Sequence, residues 1–162
     1  MGHYEHYADT ILNLKKIHTA VPKAQALLFE FTSILETIGY LLRAEFEKGA
    51  GIIHSIETAM EKFGKLMNKG NKMMICYYAG YLCFGVKRYR EALGWFRHIL
   101  NDTDANFRPD IYCFTMIVNL IVHYELGNRE QLLYYTRSTY RFLLKRQRLY
   151  KVENLVLKWI RS

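Results

Sequence analysis

Apolar side chains return every three or four residues along most of the chain, the spacing that lines one face of a helix. Tyr4, Tyr7, Ala8, Ile11, Leu12 and Leu14 predict a first helix over 4–18, interrupted at Val21-Pro22. Proline is tolerated in a first helical turn, so Pro22 opens a second helix, expected over 22–48. Its stripe is Leu27, Leu28, Phe31, Ile34, Leu35, Ile38, Leu41 and Leu42. Gly39 lies inside that stripe. A mid-helix glycine costs about 1 kcal/mol relative to alanine, which implies the close approach of a neighbouring helix there. Gly49-Ala50-Gly51 reads as a turn before a third helix over 52–68, whose apolar face is Ile52, Ile56, Ala59, Met60 and Phe63.

Lys69-Gly70-Asn71 reads as another turn, and the fourth helix is expected over 72–85. That segment is apolar on nearly every side, the mark of a helix placed between others. The fifth, over 89–101, has a clean stripe of Tyr89, Ala92, Leu93, Phe96, Ile99 and Leu100. A polar loop over 101–106 leads to Pro109 and a sixth helix reaching 126, which Gly127-Asn128 ends as a left-handed cap would. A seventh helix over 129–147 buries Leu132, Leu133, Thr136, Tyr140, Leu143 and Leu144. A last one over 150–160 carries Val152, Leu155, Val156, Trp159 and Ile160. With two prolines in 162 residues and 51% hydrophobic side chains, the expectation is one all-α domain over 1–162 made of seven to eight helices in antiparallel hairpins.

Tyr78-Ala79-Gly80-Tyr81 followed by Tyr89-Arg90-Glu91-Ala92-Leu93-Gly94-Trp95-Phe96 resembles one tetratricopeptide repeat. Ala79-Gly80 takes the place of the family's small pair on the first helix, and Ala92 with Phe96 the small residue and aromatic on the second. Tyr124-Glu125-Leu126-Gly127-Asn128-Arg129-Glu130-Gln131-Leu132 resembles the turn of a further unit, departing from the pattern at Leu120 and Leu132. Upstream, Ala59 and Phe63 repeat the Ala92–Phe96 pair. The resemblance is clearest over 73–145, and the stretch 138–150 is similar to the C-terminal part of large uncharacterised bacterial proteins. It implies a short stack of hairpins in which Gly80 and Ala92 let two helices touch and Phe96 fills the groove towards the next hairpin. It also implies a groove, lined by the first helix of each hairpin, that takes a protein or peptide partner. By matching, Tyr77, Tyr81, Tyr112 and Asn119 face that groove.

Charge adds a second candidate surface. The net charge is +8, and the segment Tyr134–Ser162 carries +7 of it, with eight basic side chains against the single acid Glu153. Arg137, Arg141, Lys145 and Arg148 are spaced 4, 4 and 3, and one helix would display them as a ladder beside Tyr134. A solvated face, an acidic protein partner and a nucleic acid all fit such a ladder, the last because phosphates need a basic stripe and tyrosines stack on bases.

Catalytic patterns are missing. Gly49-Ala50-Gly51 lacks the further glycine and the strand of a phosphate loop. His3 and His6 are terminal. Glu57 and Glu61 stand among lysines as a solvated face, and Cys113 and His123, ten residues apart on one helix, are too distant for a nucleophile and its base. Cys76, Cys83 and Cys113 each lie in apolar runs, as free thiols in a core do. No apolar run approaches the roughly 18 residues that span a bilayer. The expectation is therefore a cytoplasmic protein-binding module. It has no catalytic residue, metal, cofactor or membrane contact; nucleic-acid binding and a structural role within a longer protein are the alternatives.

Overall fold

The computed structural model describes residues 2–102 and 106–161, all of whose regular structure is helical. Nine helices follow in order among these residues: α1 (Gly2–Lys16), α2 (Pro22–Leu42), α3 (Phe46–Gly51), α4 (Ile53–Phe63), α5 (Lys69–Gly85), α6 (Tyr89–Leu100), α7 (Pro109–Glu125), α8 (Arg129–Lys145) and α9 (Lys151–Arg161). No helix is long and apolar enough to cross a membrane among the described residues. α2, α5, α7 and α9 pack side by side in that order, while α6 lies against α5 and α7, and α8 against α7 and α9. The core has two parts, one running from α2 to α7 around Ile75, Leu82, Phe96 and Ile99, the other joining α7, α8 and α9 through Leu120, Leu143 and Leu157.

The chain repeats at forty residues. α5 and α7 begin at Lys69 and Pro109 and end at Gly85 and Glu125, and α6 and α8 begin at Tyr89 and Arg129. The first of each pair ends in the same way. Lys87 and Gly127 are left-handed, at φ 62° and 68°, and the next residue's N–H returns to a carbonyl five residues back: Arg88 to Cys83 at 2.8 Å, Asn128 to His123 at 3.0 Å. That is the Schellman ending, which satisfies carbonyls the last turn leaves open. α2 and α8 close likewise, with Ala44 at φ 54° and Gln147 at φ 53°.

Three of the expected boundaries differ in the structure. The second helix stops at Leu42 rather than 48, because Ala44 turns left-handed and Glu45, paired with Arg43 and Lys48 at 2.6 Å each, redirects the chain. Gly49-Ala50-Gly51 is not a turn but the end of α3. A Cβ on Gly49 would lie 2.6 Å from Leu82 Cδ2 and 3.0 Å from Tyr40 Cβ, so that glycine serves the close approach of α3 to α5 and α2. Lys69-Gly70-Asn71 is the first turn of α5, since the Asn68 side chain accepts from the N–H groups of Gly70 and Asn71 at 2.8 and 3.3 Å, an N-cap.

Asn68 is itself held from α2. Glu30, 1% exposed, accepts from the Asn68 N–H at 2.8 Å and from the Asn71 side-chain amide at 2.5 Å. The carboxylate thus anchors the start of α5 to the middle of α2. Gly39 does admit a neighbour, the ring of Tyr7 from α1, which would lie 2.9 Å from an added Cβ.

α5 and α6 pair most extensively. The nearest atoms to a Cβ placed on Gly80 belong to Phe96, at 2.5, 2.8 and 3.1 Å. The aromatic lies over the glycine of its own hairpin, in a core that it shares with Ile111, Val118 and Val122 of α7, and Ala92 is fully buried one turn before it. In the α7–α8 hairpin the sizes at the equivalent positions are exchanged. Leu120, fully buried, replaces Gly80, and Thr136, 2% exposed, replaces Phe96. A large residue on one helix and a small one on the other fill comparable space in either order.

Candidate interaction surfaces

One face of α5 is a file of large side chains. Met74, Tyr77, Tyr81 and Phe84, spaced 3, 4 and 3, are all half-buried. The rings touch in series: Tyr77–Tyr81, Tyr81–Phe84 and Phe84–Tyr89 each have centroids 6.0 Å apart, and Tyr78 packs edge-on to Tyr77 at 5.4 Å. Burial, reinforced by Tyr81 and Tyr78, pushes the Tyr77 hydroxyl up to about 12. It stays a neutral hydrogen-bonding group throughout the physiological range.

Forty residues on, α7 carries Phe114, Ile117, Ile121 and Tyr124 at the same spacing, with Ile117 buried in the second core and Ile121 half-buried against it. Phe114 is 54% and Tyr124 42% exposed. α5 and α7 are in contact, and the Tyr89 hydroxyl donates to Glu125 at 3.2 Å across the hairpins. Tyr124 then stacks on Trp159 of α9, with centroids 4.3 Å apart. Ring pairs thus join α5 to α6 and α7 to α9, and the Tyr89–Glu125 hydrogen bond joins α6 to α7.

Of the four groove residues expected from the sequence, Tyr77 and Tyr81 lie on this face; Tyr112 and Asn119 do not. The Tyr112 ring packs on Phe142 of α8 at 5.1 Å and its hydroxyl donates to the Leu100 carbonyl of α6 at 3.3 Å. Asn119 is 8% exposed. The true counterparts of Tyr77 and Tyr81 are Ile117 and Ile121. Tyr112 is displaced from its counterpart by five residues and Asn119 by two, which at about 100° per residue turns both to another side of α7.

The basic ladder is shortened by the end of α8. Arg137, Arg141 and Lys145 are exposed at four-residue spacing, and none is in an ion pair among the described residues. Arg148 lies beyond the left-handed Gln147 and is half-buried in the link to α9, its N–H donating to Leu143 at 2.9 Å. Arg146 stacks over the Phe142 ring at 3.8 Å and donates to Asn106 at 3.1 Å, so it belongs to the packing.

A groove of about 810 Å³ separates α4 from α6, lined by Glu57, Glu61, Lys72, Glu91, Arg97 and His98. Charges of both signs alternate around it, and among the described residues no three His, Cys, Asp or Glu side chains are placed to hold a metal ion. His123 is a packing residue. Burial lowers its pKa, its ring lies 5.0 Å from Tyr135 and its Nδ1 is 3.0 Å from the Asn128 amide. The three cysteines are buried and free. Burial pushes the Cys76 thiol up to about 12 and Cys83 up to about 11, the reverse of what a nucleophilic thiol needs.

No protein-family model, curated protein or solved structure matches the chain.

Proposed function

We propose that the chain is a protein-interaction module of the tetratricopeptide type, a non-enzyme of the cytoplasm, whose binding surface is the file of side chains on α5 continued on α7. The observation that carries this reading is the repetition of Met74, Tyr77, Tyr81 and Phe84 as Phe114, Ile117, Ile121 and Tyr124 at the chain's own forty-residue period. These side chains are large: Phe114 and Tyr124 are open to solvent, Met74, Tyr77, Tyr81, Phe84 and Ile121 are half-buried, and Ile117 alone lies wholly in the core. Aromatic residues of this kind supply much contact area at little entropic cost, which is why they dominate protein interfaces. A free thiol at each of Cys76, Cys83 and Cys113 suits a reducing compartment.

Selection from a displayed peptide library tests the reading. Peptides enriched on the wild-type chain are expected to bind Tyr81→Asp at least ten-fold more weakly. A library that yields no binder, or binders indifferent to Tyr81→Asp, removes this surface. A second reading, nucleic-acid binding, is favoured only by the exposed Arg137, Arg141 and Lys145. A single-stranded oligonucleotide titrated at two salt concentrations decides it, since phosphate contacts weaken steeply with salt and no binding at low salt eliminates it.

A further inference from the structure

α9 is apolar on two sides. Leu157, with Val156 and Ile160, packs into the second core. Yet Val152 is 69% exposed, Leu155 68% and Trp159 48%. At about 100° per residue these three fall within an arc of about 60°, and the Tyr124 ring against Trp159 carries the stripe onto α7. Large apolar side chains exposed in one contiguous row mark interaction sites, whereas singly scattered ones do not.

The charges beside the stripe are of one sign. Lys151 and Lys158 lie about 40–60° further round the helix, both are exposed, and neither is in an ion pair among the described residues. The one acid of α9, Glu153, faces the other way, with Oε2 buried. An apolar row edged by cations on its outer side is the complement of a helix with an apolar row edged by anions.

We infer that the outward face of α9, continued by Tyr124, docks an amphipathic helix of a partner protein whose apolar stripe is flanked by Asp or Glu. This goes beyond the interaction-module reading above: the two surfaces adjoin at Tyr124, but this one rests on α9 and stands even if the α5 face binds nothing. The partner's residues at i, i+3 or i+4 and i+7 lie on Val152, Leu155 and Trp159, and its carboxylates meet Lys151 and Lys158. A second copy of the chain is disfavoured, because it would bring two segments of +7 together. A bilayer is disfavoured because the exposed row is three side chains wide on a helix whose other side is held in the fold, whereas interfacial helices insert a whole apolar face.

The test uses a synthetic helix-forming peptide of about 16 residues, long enough to run past α9, with Leu on one stripe and Glu along its edge. A sister peptide carries Gln for Glu. Trp159 reports directly, because the other tryptophan, Trp95, is 5% exposed and already shielded. Titration with the Glu peptide is expected to shift the Trp emission to the blue and saturate. Binding should weaken at least ten-fold for the Gln peptide, for Leu155→Asp, and for Lys151→Glu combined with Lys158→Glu; all these positions are exposed, and the helical circular dichroism of each variant is checked first. Absence of binding, or equal binding of the two peptides, overturns the inference. So does a blue shift produced only by vesicles of phosphatidylserine and phosphatidylcholine. A dimer in sedimentation equilibrium that Leu155→Asp dissociates overturns it as well. Tyr81→Asp leaves this binding unchanged, which separates its failure from failure of the α5 surface.

Discussion

Two glycines in the α5–α6 hairpin have opposite consequences when replaced by alanine. Gly80 lies mid-helix with the Phe96 ring over it, and an added methyl would stand 2.5 Å from Cε1 and 2.8 Å from Cδ1. Phe96 is fully buried, so the ring moves only by pushing its neighbours, an overpacking that costs about 1–3 kcal/mol. Alanine in place of mid-helix glycine returns about 1 kcal/mol of helix propensity. Gly80→Ala is therefore expected to destabilise by about 0–2 kcal/mol. Gly94 lies mid-helix in α6 with nothing within 4 Å of an added Cβ, so Gly94→Ala collects only the gain, about 1 kcal/mol. The propensity term cancels in the comparison, and the two variants should differ by about 1–3 kcal/mol. Urea unfolding followed by circular dichroism measures this as a difference in midpoint at unchanged slope. Midpoints that agree, or a Gly80→Ala chain more stable than Gly94→Ala, would refute the close approach of Phe96 to α5.

Other consequences can be measured in the same way. Lys87→Gly should stabilise by about 0.5–1 kcal/mol, because an L-residue in the left-handed region costs roughly 1–2 kcal/mol and glycine loses part of that gain in chain entropy; a lower urea midpoint would contradict it. Glu30→Ala should cost about 1–3 kcal/mol or more, since it strands the Asn68 N–H and the Asn71 amide, and hydrogen exchange in the first turn of α5 should speed up with it. The Cys76 thiol keeps its proton to about pH 12 in the fold, against an ordinary value of 9.0. Its contribution is complete below pH 9.0 and is lost between there and about 12, as the unfolded chain releases the proton first. By pH 11 that amounts to about 2–3 kcal/mol, and Cys76→Ala should flatten the alkaline slope of stability measured by urea unfolding; a slope unchanged by the substitution would count against the burial of that thiol.

The helices and most of their order are legible in the spacing of apolar residues, because periodic burial is what the sequence encodes directly. Boundaries are less so. The left-handed ending at Ala44 carries no glycine to announce it, and the apolar spacing runs the second helix on past it, whereas Gly127 does announce its own and the end of α7 is read within a residue. Gly49 and Gly70 look like turn residues, but close packing and the Asn68 cap place them inside helices. The same limit applies to the surfaces. Tyr77 and Tyr81 follow from the clear repeat, while Tyr112 and Asn119 miss because the second unit has exchanged its large and small residues, leaving nothing at Leu120 to mark the register. Glu30 has no signal at all: a single acid in an apolar stripe resembles a solvated charge until its two partners from α5 are seen. The apolar spacing of α9 gives one stripe, in which Val152, Leu155 and Trp159 alternate with the half-buried Val156 and Ile160, and only packing separates the two sets.

The proposed role requires α5 and α7 to present one continuous binding face. An NMR titration of the isotope-labelled chain with a library-selected peptide addresses this most directly. Amide and side-chain shifts are predicted to cluster at Tyr77, Tyr81, Ile121 and Tyr124, on both helices at once and with a common saturation point. Shifts confined to Arg137, Arg141 and Lys145, or to the groove at Glu57 and Arg97, would contradict it.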